Sequence, residues 1–460
     1  MPDQPGYEFY LQAQQSLSLS LEMPTLMTAQ CYFLSAIYLL ASNQANSAYM
    51  MARSAVATAE SLGLQFDESN YDNDNLINKD ATPSRMGCRL WHCLVTLDTQ
   101  VALHLGRPFA VKDIQLYGQT EPESNEIAHS VGPNFNLPGS SDINWLRFGH
   151  ERQRLFSIAR EIFTELEAVV ESVLEEIDEA DFYQHPESRE KCAKYLYKQL
   201  KRLKGWVEEV PESLKTPRVQ GVPFSVDRST LNLSQTDPLW LQRQRLVLEL
   251  DYHSLVIMLT RTFNSFLPTP ALGTFNSDNH CITSVNSGIM MTLILHQVLS
   301  GSGILSGFFQ VVGWQRVATF ALAGFASGYP ICPLSPTARK TLPKAARVFE
   351  ISGSREGIRI VHSLRSKCLE IVQAFCARLG IPTPAVTPAE SHKSPDTLDE
   401  SIEPSSYQVM SIGEEALANA GFGNILDDGL WEADSPGGLL WGDLMSDLDT
   451  GLASSLGHFG

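Results

Sequence analysis

Metal-binding cysteine spacing is missing from this 460-residue chain. Its eight cysteines, Cys31, Cys88, Cys93, Cys192, Cys281, Cys332, Cys368 and Cys376, are scattered, and no two stand at C-x2-C spacing. A structural zinc site within the chain is therefore not expected, and the thiols read as reduced groups on apolar helix faces. Positive charge is scarce as well. Lys and Arg number 34 against 52 Asp and Glu, a net charge of -18. Phosphate backbone repels such a chain unless a basic patch is sharply localised. The densest basic run, Lys191, Lys194, Lys198, Lys201, Arg202 and Lys204, follows an acidic stretch and reads as a solvated helix face. Contact with DNA by this chain alone is not expected.

Unbroken apolar runs and catalytic signatures are also lacking. Ile289 to Gly328 is the longest apolar region, and His296, Gln297, Gly301, Ser302, Gln310, Gln315 and Arg316 interrupt it. Two buried helices fit it better than a membrane span. Residues 1–20 are polar and carry no basic leader segment, so an intracellular protein is expected. The chain contains no H-E-x-x-H helix, no G-x-x-x-x-G-K-[ST] phosphate loop and no G-x-S-x-G elbow. Gly301-Ser302-Gly303 lacks the third glycine of a dinucleotide loop and reads as a separator of two core helices. His92 and His296 lie in apolar helical contexts and read as hydrogen-bonded core histidines. No enzyme is expected, and no catalytic, cofactor-binding or metal-binding residue is assigned.

What the chain does contain is helical periodicity, from Leu26 to Leu379, with no convincing run of alternating strands. Ser47 to Leu62 is Ala-rich and amphipathic, and Gly63 ends it. Leu155, Ile158, Ile162, Leu166, Val169, Val173 and Ile177 line one face of a long helix. Asp237-Pro238 reads as an N-cap followed by proline at the first helical position of a helix reaching about Phe263. Arg355 to Leu379 forms another. The fold class expected is all-α: a large multi-helix domain with long loops.

The most informative stretch runs from Ser84 to Ile114. Leu90, Leu94, Leu97, Val101 and Leu105 line one helical face, Ser84 is placed as N-cap, Gly106 breaks the helix and Pro108 prevents its resumption. Arg85, Arg89 and Asp98 interrupt an apolar segment, so each needs a partner or a path to solvent. The expected solution is an Arg–Asp ion pair that fixes packing, with Trp91 anchoring the core.

This pattern resembles the signature of the regulatory domain of fungal zinc-cluster transcription factors: an Arg-rich helix start, a Trp, a Leu-Asp pair and a Gly-Arg-Pro turn. Here the matching residues are Arg85, Arg89, Leu90, Trp91, Leu97, Asp98, Gly106, Arg107 and Pro108, with Cys88 and His92 departing from the usual basic and aromatic neighbours. Three further elements agree in order: Ala52 to Leu64, then Trp206, Pro211 and Leu214, then Leu248 to Arg261. The resemblance implies a helical regulatory domain over residues 21–381, behind a flexible N-terminus at residues 1–20. It also implies that zinc belongs only to a six-cysteine cluster not contained in this sequence, so that DNA would be reached only through that cluster.

After Ile381 the composition changes. Residues 382–460 hold fourteen acidic residues against one lysine, with Pro384, Pro388, Pro395 and Pro404 in a Ser/Thr-rich context, which reads as a disordered linker. Further on, Leu430, Trp431, Leu440, Trp441, Leu444, Met445 and Leu448 are interleaved with aspartates and glutamates. Acidic residues keep such a segment solvated and available to a partner's groove. Together with the resemblance, this implies an effector-responsive transcription regulator in the nucleus whose tail contacts a coactivator or corepressor. A small-molecule inducer and a homodimer are further partners it implies, and a membrane is not. The alternative from another class is a cofactor or dominant-negative partner acting through protein contacts.

Overall fold

A computed structural model describes residues 6–19, 22–66, 85–112, 146–177, 185–234, 236–264, 274–330 and 332–379. Among them the chain forms eleven α-helices and no strand, and its one extended pairing is an isolated antiparallel bridge between Arg218 and Leu231. The all-α expectation holds. Ser84 and the acidic segment from Leu430 to Leu448 lie outside the described residues.

The first helices form a small layer. Helix α1 (Tyr7–Ser18) occupies a segment expected to be flexible. It is held because Tyr10 stacks on Tyr38 at 5.2 Å and Gln14 Nε2 donates to Ser35 Oγ at 3.3 Å. Helix α2 (Leu26–Ala41) starts from a reciprocal cap: Thr25 Oγ1 accepts from the Thr28 amide at 3.2 Å, and Thr28 Oγ1 accepts from the Thr25 amide at 2.7 Å. Helix α3 (Ala45–Ser61) packs antiparallel to α2 through Ala48, Ala52, Ala55 and Ala59, whose small side chains permit close approach. Helix α4 (Arg85–Leu105) lies across this hairpin. Trp91 and Leu94 pack with Ala55, Val56 and Ala59, while Leu97 and Val101 pack with Ala36, Tyr49 and Ala52.

The larger layer begins at α5 (Arg147–Ile177), which α4 also touches. Helix α6 (Pro186–Glu209) runs beside it and presents Lys191, Lys194, Lys198, Lys201 and Lys204 to solvent, as the sequence suggested. Trp206 near its end is 1% exposed, with Phe224 edge-on to its ring at 5.6 Å. Helices α7 (Leu239–Thr260) and α8 (Phe275–Gly301) form the centre. Helix α8 is long and apolar enough to cross a membrane by length and composition alone, but most of its apolar window is buried inside the bundle. Helices α9 (Gln310–Gly328), α10 (Ser335–Ile351) and α11 (Arg355–Leu379) close the far side. The α8–α9 approach requires Gly288, since a Cβ there would stand 3.3 Å from the Ala318 carbonyl oxygen.

Two sequence expectations are corrected. Asp237 does not cap α7: Pro238 takes the N-cap position, and Asp237 Oδ2 instead pairs with Arg245 Nη1 at 2.5 Å. Among the described residues the most deeply buried histidines are His253 and His280, whereas His92 and His296 are only partly buried. The central helices supply the reason, because α7 and α8 are covered on nearly every side and bury polar residues with the apolar ones.

Candidate functional site

The Gly-Arg-Pro turn forms a tightly bonded corner. Gly106 adopts φ +62°, and the Arg107 amide donates back to the Ala102 carbonyl at 3.0 Å, which is the six-to-one bond of a Schellman stop. Arg107 Nη2 then reaches Asn46 Oδ1 at 2.6 Å, and its guanidinium lies over the Tyr49 ring, 5.1 Å from the centroid. Tyr49 Oη donates to the Pro108 carbonyl at 2.8 Å, and Arg53 Nη1 donates to the same carbonyl at 3.2 Å. Three bonds thus bind the turn to α3.

Asp98 fastens the segment that follows. It is 1% exposed, and its carboxylate accepts the Ala110 amide at 2.9 Å and the Val111 amide at 3.2 Å. Arg160 of α5 completes the arrangement: its Nη1 meets Asp98 Oδ2 at 3.0 Å and its Nη2 donates to the Val111 carbonyl. The Arg160 guanidinium also lies over Phe109, 4.1 Å from the ring centroid. Burial lowers the Arg160 pKa from its ordinary value, and Asp98 counters this. The Arg–Asp pair expected from the sequence exists, but its arginine is Arg160 rather than Arg85 or Arg89. Arg89 is half-buried on α4, and the side chain of Arg85 lies outside the described residues.

A second arrangement went unassigned in the sequence. A cleft of about 360 Å³ opens where the α2–α3 corner, α4, α5, α7, α9 and the α10–α11 turn converge. Val101, Phe156, Leu255, Met258 and Val317 supply apolar walls, while Gln100, His104, Asp251, Arg316 and Glu356 supply polar groups. Asp251 accepts from Arg152 Nε at 2.7 Å and from Trp314 Nε1 at 3.0 Å. Glu356 accepts from Asn43 Nδ2 at 2.7 Å and from Arg316 Nη2 at 3.3 Å. Burial, with Arg316 and Arg261 nearby, pushes the His104 pKa down to about 4, so its imidazole is neutral near pH 7.

Further polar groups sit inside the core. Arg218 and Glu249 form a fully buried pair, and Glu249 also accepts the Phe224 amide at 2.9 Å. The signal for both acidic sites was present, since Glu249 and Asp251 interrupt the apolar run Leu248 to Leu259 and require buried donors. Their partners are 31 and 99 residues away in sequence, which no local pattern reveals. Among the described residues no group of three His, Cys, Asp or Glu side chains is placed to hold a metal ion.

With this geometry in hand, comparison with known proteins gives a consistent result. Residues 2–166 match the family model for the fungal specific transcription factor domain, a span that contains α1 to α4, the Gly-Arg-Pro turn, Asp98 and Arg160. The chain is 29% identical over 378 residues to the terreic acid cluster-specific transcription factor atF of Aspergillus terreus, covering 78% of this chain and 55% of that protein. It is 27% identical to the transcription factor asqA of Emericella nidulans, covering 81% of this chain and 64% of that protein. It is 23% identical to the oosporein cluster regulator of Beauveria bassiana, covering 71% of this chain and 46% of that protein. The chain therefore spans roughly half to two thirds of the length of these relatives. No solved structure matches. Two of these relatives are named as transcription factors and the third as a cluster regulator.

Proposed function

We propose that this chain is the regulatory and activation part of a fungal zinc-cluster transcription factor that controls metabolic genes read by RNA polymerase II in the nucleus. The observation that carries this reading is the match of residues 2–166 to the fungal specific transcription factor domain, in a chain similar along most of its length to two transcription factors and a cluster regulator. The helical body, residues 21–381, restrains or releases activity, and the acidic segment from Leu430 to Leu448 contacts a coactivator or corepressor. Regulation requires that an effector bind one arrangement of the body better than another. Homodimerisation belongs to the same proposal. Zinc and DNA contact come from a cluster outside this sequence.

The test joins residues 382–460 to a neutral DNA-binding module upstream of a reporter. Activation is expected, and replacing Trp431, Trp441 and Leu444 with alanine together is expected to abolish it. A silent parent fusion rejects the activation role of the tail.

One observation favours a second reading, a partner that regulates through protein contacts alone. The -18 charge and the absence of C-x2-C spacing leave this chain without a DNA-binding element of its own. Blotting the native protein from its host separates the two: a product well above 50.9 kDa supports the zinc-cluster reading, and a band at 50.9 kDa supports the second.

A further inference from the structure

The cleft between the two helical layers carries features that packing leaves unexplained. Its volume falls within the range of ordinary small-molecule sites, and its walls come from segments as far apart in sequence as Leu40 and Glu356. Arg316 lines it and offers one guanidinium bond to Glu356, yet its Nε is buried with no acceptor. A buried donor without a partner is costly, and the Arg316 side chain keeps 17% of its surface exposed, through which an oxygen acceptor on a ligand can meet the guanidinium.

The electrostatics narrow the ligand class. Each charged side chain on the wall already faces its opposite, Asp251 with Arg152 and Glu356 with Arg316. His104 is neutral near pH 7. A charged ligand would therefore enter a low-dielectric space with no uncompensated counter-charge to meet it. Phe156, Phe309 and Trp314 add aromatic surface that suits a flat, unsaturated body.

We propose that this cleft binds an uncharged, largely apolar small molecule whose carbonyl-type oxygen accepts from Arg316. Such a molecule touches α4 and the α2–α3 corner on one side and α7 and α9 on the other, so it favours the closed apposition of the two layers. Its regulatory consequence rests on the transcriptional reading above, whereas its binding does not.

Gly313 provides a clean test. It lines the cleft, and a Cβ built on it meets nothing within 4 Å, so a larger side chain has room to leave the helix there. Gly205 on α6 is also open and is absent from the cleft, which makes it the control. The probe is Nile red, an uncharged dye with a carbonyl acceptor, titrated into the full chain while its emission is followed. Saturable one-to-one binding with blue-shifted emission is expected. Gly313→Phe should weaken binding at least tenfold, Arg316→Met about tenfold, the loss expected for one charge-assisted hydrogen bond, and Gly205→Phe not at all. Anilinonaphthalene sulfonate, an anionic dye of similar size, should bind without sensitivity to Gly313→Phe. Melting curves followed by circular dichroism verify that each variant folds.

Absence of saturable Nile red binding overturns the proposal. So does binding that Gly313→Phe leaves unchanged, which would place the dye on exposed side chains such as Phe9, Met23 and Met27. An anionic dye displaced by Gly313→Phe as strongly as Nile red overturns the uncharged class. Reporter activity is a separate readout, so a silent reporter with intact dye binding would reject the transcriptional reading and leave the site standing.

Discussion

Asp98 on α4 and Arg160 on α5 meet at 3.0 Å, with side chains 1% and 5% exposed, and through this pair the matched domain's turn is joined to the next helix. Two amides and one carbonyl of the segment after the turn bond to the same two side chains, so the pair organises backbone as well as charge.

Removing one member should therefore be severe. Asp98→Asn leaves the Arg160 charge buried without its counter-ion and is expected to cost about 3–5 kcal/mol. Urea unfolding measures it. The double change Asp98→Leu with Arg160→Met removes both charges and should recover part of that loss, although the two amides remain unsatisfied. A single variant within about 0.5 kcal/mol of the parent contradicts this account.

Two glycines should respond with opposite signs. Gly106 holds φ +62°, where a β-carbon is strained, so Gly106→Ala is expected to destabilise by about 1 kcal/mol. Gly205 lies inside α6 with open space around it, so Gly205→Ala should stabilise by about 0.5–1 kcal/mol through helix propensity. Thermal melts of the two variants should shift in opposite directions.

Acid should weaken the fold through histidine. Burial pushes His253 down to about 3 and His104 down to about 4, from an ordinary value of 6.5. The unfolded chain then binds more protons than the folded one at mildly acid pH. Stability from these residues is complete above pH 6.5 and is lost as pH falls through that value toward 4 and 3. The slope approaches about 1.4 kcal/mol per pH unit for each histidine at its steepest. His253→Phe, which removes two buried ring nitrogens that lack partners, should flatten this limb in urea titrations from pH 7 to pH 4. An unchanged slope would dismiss His253 as its source.

Helix α8 has a cap supplied from another helix. Glu190 Oε1 accepts the Asn276 amide at 2.7 Å, and Glu190 Oε2 accepts the Ser277 amide at 3.0 Å and the Ser277 hydroxyl at 2.9 Å. Glu190→Ala should cost about 1–2 kcal/mol by exposing these donors and removing a negative charge from the helix start. Hydrogen exchange should quicken at Asn276 and Ser277 first.

The apolar periodicity along α4 and the Gly-Arg-Pro stop were legible because each is a local pattern. Leu90, Leu94, Leu97 and Val101 are all buried, and Gly106 takes the left-handed conformation that ends the helix. Helix α7 was legible from its Asp237-Pro238 start, although that start was misplaced by one residue because Asp237 turned to Arg245. Helix α1 escaped notice because a polar sequence hides the aromatic stack of Tyr10 on Tyr38, a contact across 28 residues.

By itself the sequence determined that the chain is helical, where its main helices stop, and that its charge is concentrated in an acidic C-terminal region. Those properties follow from spacing, composition and backbone preference, all of which act over a few residues. Only the tertiary structure decided that Arg160 is the partner of Asp98, that Arg218 and Arg152 answer Glu249 and Asp251, and that a cleft remains where the two layers meet. A buried carboxylate requires a donor, but which donor reaches it is set by how distant helices pack.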